Sequence, residues 1–208
     1  AKDDDFEGLT MVKNKAYVLR SDGNIFRVED ITVKNPKVVK FETGLSYKYD
    51  FEGLCYDQKN NRLLVAAKSY GPNNDDRFKP VFAFNLRTNK IEKEPAFKLN
   101  YDNPIFEGLD AAGDEKVFRT SEINIHPKTG QIYMLDGVIG KLLILDEKWN
   151  TQDLYIFNPD DFPQPEGITF SPEGKMLISN EGEWDPANIL EVELKGPPKE
   201  KPTIETEE

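Results

Sequence analysis

Short apolar runs separated by polar turns recur along this chain in one fixed order. The first series reads Gly8-Leu-Thr-Met-Val12, a turn at Lys13-Asn-Lys15, then Ala16-Tyr-Val-Leu-Arg20. The turn Ser21-Asp-Gly-Asn24 follows, then Ile25-Phe-Arg-Val28 and Val38-Val-Lys-Phe41. Asp22-Gly23 between two β-rich runs predicts a hairpin, because its turn needs positive φ angles that glycine accepts at little cost. The third series repeats the plan with Ile123-Asn-Ile125, His126-Pro-Lys-Thr-Gly130, Gln131-Ile-Tyr-Met-Leu135 and Lys141-Leu-Leu-Ile-Leu145. The last has Gly167-Ile-Thr-Phe170, Ser171-Pro-Glu-Gly174, Lys175-Met-Leu-Ile-Ser179 and Asn188–Leu194. Units of four antiparallel strands at a period of about 40–50 residues predict the blades of an all-β propeller.

A phrase heads each unit: an acidic residue, a small one, then an apolar strand. It appears as Asp5-Phe6-Glu7-Gly8-Leu9, Asp50-Phe51-Glu52-Gly53-Leu54, Ser121-Glu122-Ile123 and Pro165-Glu166-Gly167-Ile168. Glu7 and Glu52 stand 45 residues apart and Glu122 and Glu166 44, whereas Glu52 and Glu122 are 70 apart. The surplus falls in the polar stretch Ser69–Pro80 and in Asn100–Thr120. The latter contains a further copy, Phe106-Glu107-Gly108-Leu109, with no turn-and-strand series behind it. Asn103 suits an N-cap, Pro104 a first helical position and Gly113 an end, so that copy is read as a short helix. Blades are placed at about 5–48, 49–95, 120–163 and 164–194 in one domain spanning 1–194, followed by a polar, proline-rich tail at 195–208.

First strands of propeller blades line the central channel, so Glu7, Glu52, Glu122 and Glu166 are expected to form a ring. Two like charges near 4 Å repel by about 4 kcal/mol at an effective dielectric of about 20. Raised pKa values, ordered water or a bound cation would each relieve this. Ca²⁺ is the natural cation, a hard ion taking six to eight oxygens. Alternatively, each glutamate caps backbone amides of the neighbouring blade. Glu181, at a strand end in Ser179-Asn-Glu-Gly182, is a further candidate ligand, while Asp22 and Asp136 precede glycine and are read as turn residues. Asn73-Asn-Asp-Asp76 lacks the alternate spacing of an EF-hand loop.

Composition adds exclusions. With 27 basic and 38 acidic residues the net charge is −11, which argues against a nucleic-acid partner. Cys55 is the single cysteine, so no internal disulfide forms, and its apolar context makes it a small buried hydrophobe. No run approaches the roughly 18 apolar residues of a membrane span, and no signal peptide is visible in the chain.

Together, Asp5–Leu9 with Val18–Gly23, Tyr49–Leu54, Lys141–Leu145 with Trp149, and Gln164–Ile168 with Ile178–Gly182 resemble the SdiA-regulated (YjiK-like) family, itself distantly similar to NHL-repeat propellers. The resemblance implies a five-bladed propeller carrying calcium at a shared acidic site. It also implies a bacterial envelope location, whether periplasmic, secreted or anchored. Glu7, Glu52 and Glu166 match its metal-facing carboxylates. Four units are visible here, and the blade with which the family begins is not among them. Two functions follow: a calcium-locked binding or scaffold module for a small molecule, glycan or protein, or a calcium-dependent hydrolase of lactones or phosphoesters with Glu122 or Glu181 as base. Rim aromatics Tyr70 and Trp184 are candidates for sugar or peptide contact.

Overall fold

The computed structural model describes residues 4–72, 76–109, 116–182 and 186–195. Its four antiparallel sheets form a four-bladed β-propeller. Blade 1 is β1 (Phe6–Val12), β2 (Lys15–Arg20), β3 (Ile25–Val28) and β4 (Val38–Phe41). Blade 2 holds β5 (Phe51–Asp57), β6 (Arg62–Ala67), β7 (Phe78–Asn85) and β8 (Lys90–Ile91). A fifth strand, β9 (Phe97–Asn100), pairs with β7, so this blade runs to residue 100. Blade 3 is β10 (Thr120–Ile125), β11 (Ile132–Asp136), β12 (Lys141–Leu145) and β13 (Thr151–Ile156). Blade 4 shows three strands among its described residues: β14 (Pro165–Phe170), β15 (Met176–Asn180) and β16 (Asn188–Val192).

The turns behave as their chemistry predicts. Gly23 takes φ of +85°, the Asp22 carboxylate accepts from the Asn24 amide at 3.0 Å, and β2 and β3 pair from Leu19↔Ile25 onward. The expected helix near Asn103 is one 3₁₀ turn, Pro104–Phe106. Asn103 caps it by accepting from the Ile105 amide at 3.0 Å, but Glu107 returns to extended backbone and Gly108 to positive φ, which ends it. Gly113 lies outside the described residues. Glu107 is exposed and its neighbour Phe106 is buried, so this copy of the phrase anchors a connection and is not an inner strand.

Three apolar layers sit between consecutive blades. Tyr17, Leu19 and Ile25 meet Phe51, Leu54 and Phe84 between blades 1 and 2. Cys55, Leu64 and Val81 meet Ile123, Met134 and Leu143 between blades 2 and 3. Leu135 and Ile144 meet Ile168 and Ile178 between blades 3 and 4. Leu9, Leu54, Ile123 and Ile168 hold the same register on their inner strands. Leu54, Ile123 and Ile168 are at most 3 % exposed, whereas Leu9 is 63 % exposed, because no described blade covers that face of blade 1. Among the described residues, no helix is long and apolar enough to cross a membrane.

Candidate functional site: a carboxylate cavity at the strand bulges

Every inner strand slips register at the same place: between Phe6 and Gly8, Phe51 and Gly53, Thr120 and Glu122, and Pro165 and Gly167. A bulge inserts one unpaired residue and re-aims its side chain. The inserted residues are Glu7, Glu52, Ser121 and Glu166, and all four line one open cavity of about 410 Å³. The glycines after Glu7 and Glu52 let the blades close up, and Gly167 makes room for Ser179 of its own blade. At Gly8 a Cβ would stand 2.7 Å from the Leu54 Cβ and 2.8 Å from the Glu52 carbonyl.

Glu122 therefore sits one residue past the ring position, where the other blades carry Gly8, Gly53 and Gly167. Its Oε1 accepts from the Leu54 amide of blade 2 and from its own neighbour Ile123, both at 2.8 Å. Burial pushes its carboxyl well above the usual range, against the opposing pull of these two amides. This one carboxyl caps a neighbouring blade, while Glu7, Glu52, Glu166 and Glu181 line the cavity.

A second tier comes from the strands paired with the inner ones. The residues after the pairs Phe6↔Arg20, Phe51↔Ala67, Thr120↔Asp136 and Pro165↔Asn180 are Ser21, Lys68, Gly137 and Glu181. Ser21, Lys68 and Glu181 each donate their amide back across the bulge, to the carbonyls of Asp5, Asp50 and Gln164 at 2.8–3.0 Å. Gly137 leaves a notch, since a Cβ there would lie 2.9 Å from Glu166 Oε1. Lys68, Ser121, Ser179 and Asn180 also line the cavity, although the glutamate phrase alone points to none of them.

The electrostatics are unbalanced. Glu52 is 7 % exposed; Lys68 Nζ donates to its Oε1 at 2.5 Å, and its Oε2 has no partner. Asn180, 3 % exposed, donates to Asn188 Oδ1 at 2.8 Å and leaves its own Oδ1 without a partner. Burial pushes Glu52 up to about 7 against the opposing pull of Lys68. Glu7 is also pushed up to about 7, by burial and then by its hydrogen bond to Asp5. Burial raises Glu166 as well. For Lys68, burial works against the charged form but the bond to Glu52 outweighs it, raising the ammonium.

The donor set suits a hard cation: carboxylates, a side-chain amide oxygen, two buried acceptors awaiting a partner, and a glycine notch beside Glu166. The arrangement is not yet that of a bound ion, because no three acidic, histidine or cysteine side chains among the described residues stand close enough to hold one.

Other candidates are otherwise engaged. The Asp136 carboxylate accepts from the amides of Arg119, Val138 and Ile139 at 2.8–2.9 Å and pairs with Lys141. Asp22 binds Arg20 and Asn24, which gives both aspartates the turn role expected of them. Cys55 is buried, and burial raises its thiol. Tyr70 packs edge-on against Tyr101 and under the Lys79 ammonium. Trp184 and residues 73–75 lie outside the described residues. A larger cavity of about 550 Å³ opens at the far end of β5 and β10, beside Trp149. Its Asp57 is taken up by Asn60 and Arg62, and the His126 ring by Lys128, Thr129 and Gly174.

Bulge carboxylates gathered at the inner strands define a propeller with an acidic axial cavity. More narrowly, the chain belongs to the SdiA-regulated family, whose sequence profile matches residues 1–184. No curated protein matches it in sequence. The fold is similar to that of Kuenenia stuttgartiensis hydrazine synthase, at 12% identity and a TM-score of 0.53, over 92% of this chain and 47% of that one. A Bacteroides thetaiotaomicron VPI-5482 protein of unknown function shares 11% identity at a TM-score of 0.52, over 83% of this chain and 41% of that one. A gluconolactonase-like protein shares 12% at 0.51, over 91% and 63%. The chain thus spans less than two thirds of these structures, and at such identities the likeness is one of fold alone.

Proposed function

We propose that the protein is a calcium-dependent binding or scaffold module of the bacterial cell envelope, with the cation held at the bulge carboxylates and a small molecule, glycan or protein as its partner. The observation that carries this is the pair of buried acceptors without partners, Glu52 Oε2 and Asn180 Oδ1, lining one cavity. Leaving such groups unsatisfied costs on the order of 1–3 kcal/mol each, which a cation would relieve. Glu7, Glu52, Glu166 and Glu181 would hold the ion with Asn180. When bound, the ion supplies charge neutralisation and coordination positions for oxygens of a ligand. Since Glu7, Glu52 and Glu166 belong to three different blades, holding one ion would also tie those blades together. The hydrolase alternative is weaker because Glu122, one of its two candidate bases, is taken up by backbone amides.

Thermal unfolding in millimolar Ca²⁺ against chelator, on this chain and on Glu52→Gln, tests the reading. A ligand at about 100 times its Kd adds about 2.7 kcal/mol. That corresponds to a rise of roughly 5–10 °C for a domain of this size. The rise is expected in the native chain and lost in Glu52→Gln. Identical melting with and without calcium would overturn it.

A further inference from the structure

We propose that Lys68 is a built-in counter-ion of the cavity, and that an incoming divalent cation must displace its ammonium from Glu52. This rests on the cation-site reading above and adds a residue that sets the affinity of that site. Lys68 is the one basic side chain among the described residues lining a cavity that Glu7, Glu52, Glu166 and Glu181 make acidic. It occupies the tier position that blade 4 gives to a carboxylate, Glu181, and blade 3 leaves as a glycine.

The lysine is placed, not merely nearby. Its amide donates to the Asp50 carbonyl at 2.8 Å, and its carbonyl accepts from the ammonium of Lys79, which is buried and lies over the Tyr70 ring. The start of the side chain is thus fixed, while its end reaches Glu52 at 2.5 Å and the side chain as a whole is 30 % exposed. One ammonium serves this site incompletely. It is a compact point charge of +1, and Glu52 Oε2 and Asn180 Oδ1 still have no partner beside it. A divalent ion brings twice the charge and six to eight coordination positions. The two cannot share Glu52 without strong repulsion.

Calorimetric titration with Ca²⁺ of chelator-treated protein tests the exchange, with folding of each variant checked by circular dichroism. Lys68→Met keeps the stem and removes the charge; Lys68→Arg keeps the charge. Calcium is expected to bind Lys68→Met about tenfold or more tightly than the native chain, a relief of about 1.4 kcal/mol or more. Lys68→Arg should stay close to the native affinity. If the native chain binds calcium and Lys68→Met binds it equally or more weakly, Lys68 is not a competitor and the inference falls while the cation site stands. If neither the native chain nor either variant binds calcium, the cation site falls and this inference with it.

Discussion

Glu122 offers the sharpest separation between a carboxyl that holds blades together and carboxyls that face a ligand. Its Oε1 receives two amide donors at 2.8 Å, one of them from Leu54 across the interface with blade 2. Glu122→Ala removes this one acceptor and leaves two amides between packed strands without their partner. At about 1–2 kcal/mol for each group left without a partner, the loss should reach roughly 2–4 kcal/mol. In a domain of about 200 residues this is a fall of roughly 5–15 °C in Tm. Glu122→Gln should cost under about 1 kcal/mol, because the glutamine carbonyl oxygen can accept from the same two amides and burial already disfavours the charged carboxylate. Urea unfolding of the three proteins measures both values, and calcium stabilisation should persist in each variant. An alanine variant within about 0.5 kcal/mol of the native chain would refute the capping role. A glutamine variant as damaged as alanine would show that the charge, and not the hydrogen bonds, is what matters at this position.

Gly137→Ala places a Cβ 2.9 Å from Glu166 Oε1 and 3.1 Å from the Pro165 carbonyl. It should weaken calcium binding in titration and cost about 1–3 kcal/mol of stability through overpacking; an unchanged calcium affinity would mean that Glu166 is not a ligand. The pH dependence has a definite sign. Glu52 and Glu7 are raised from 4.5 to about 7, so between those values the folded chain binds protons that the unfolded chain has released. Their contribution is present below about 4.5 and lost as pH rises through 7, on the order of 2 kcal/mol for Glu52 and less for the more exposed Glu7. In chelator the urea midpoint should therefore fall from pH 5 to pH 8, and calcium should oppose the fall; a midpoint that rises over this range would contradict the assignment.

What the chain determines locally was legible in it. Alternating apolar residues and Asp-Gly or Ser-Pro-Glu-Gly turns act over a few residues, and the strands fall where those signals stand, from Lys15–Arg20 to Met176–Asn180. The repeated Glu-Gly pair likewise marked three of the four bulges, since a Cβ at Gly8 or Gly53 would meet the next blade and one at Gly167 would meet Ser179. What the tertiary structure decided is which residue each bulge extrudes and what meets it there. Blade 3 slips at Ser121, so Glu122 falls one residue later and serves as a cap, although its local sequence matches the ring. A one-residue shift on a strand turns a side chain to the other face, and no residue type announces it. Lys68, Gly137 and Asn180 belong to the site only because their strands pair with inner strands 14–17 residues away. The acidic repeat is a property of the sequence; the lysine set among its carboxylates is a property of the fold, because only strand pairing brings the two together.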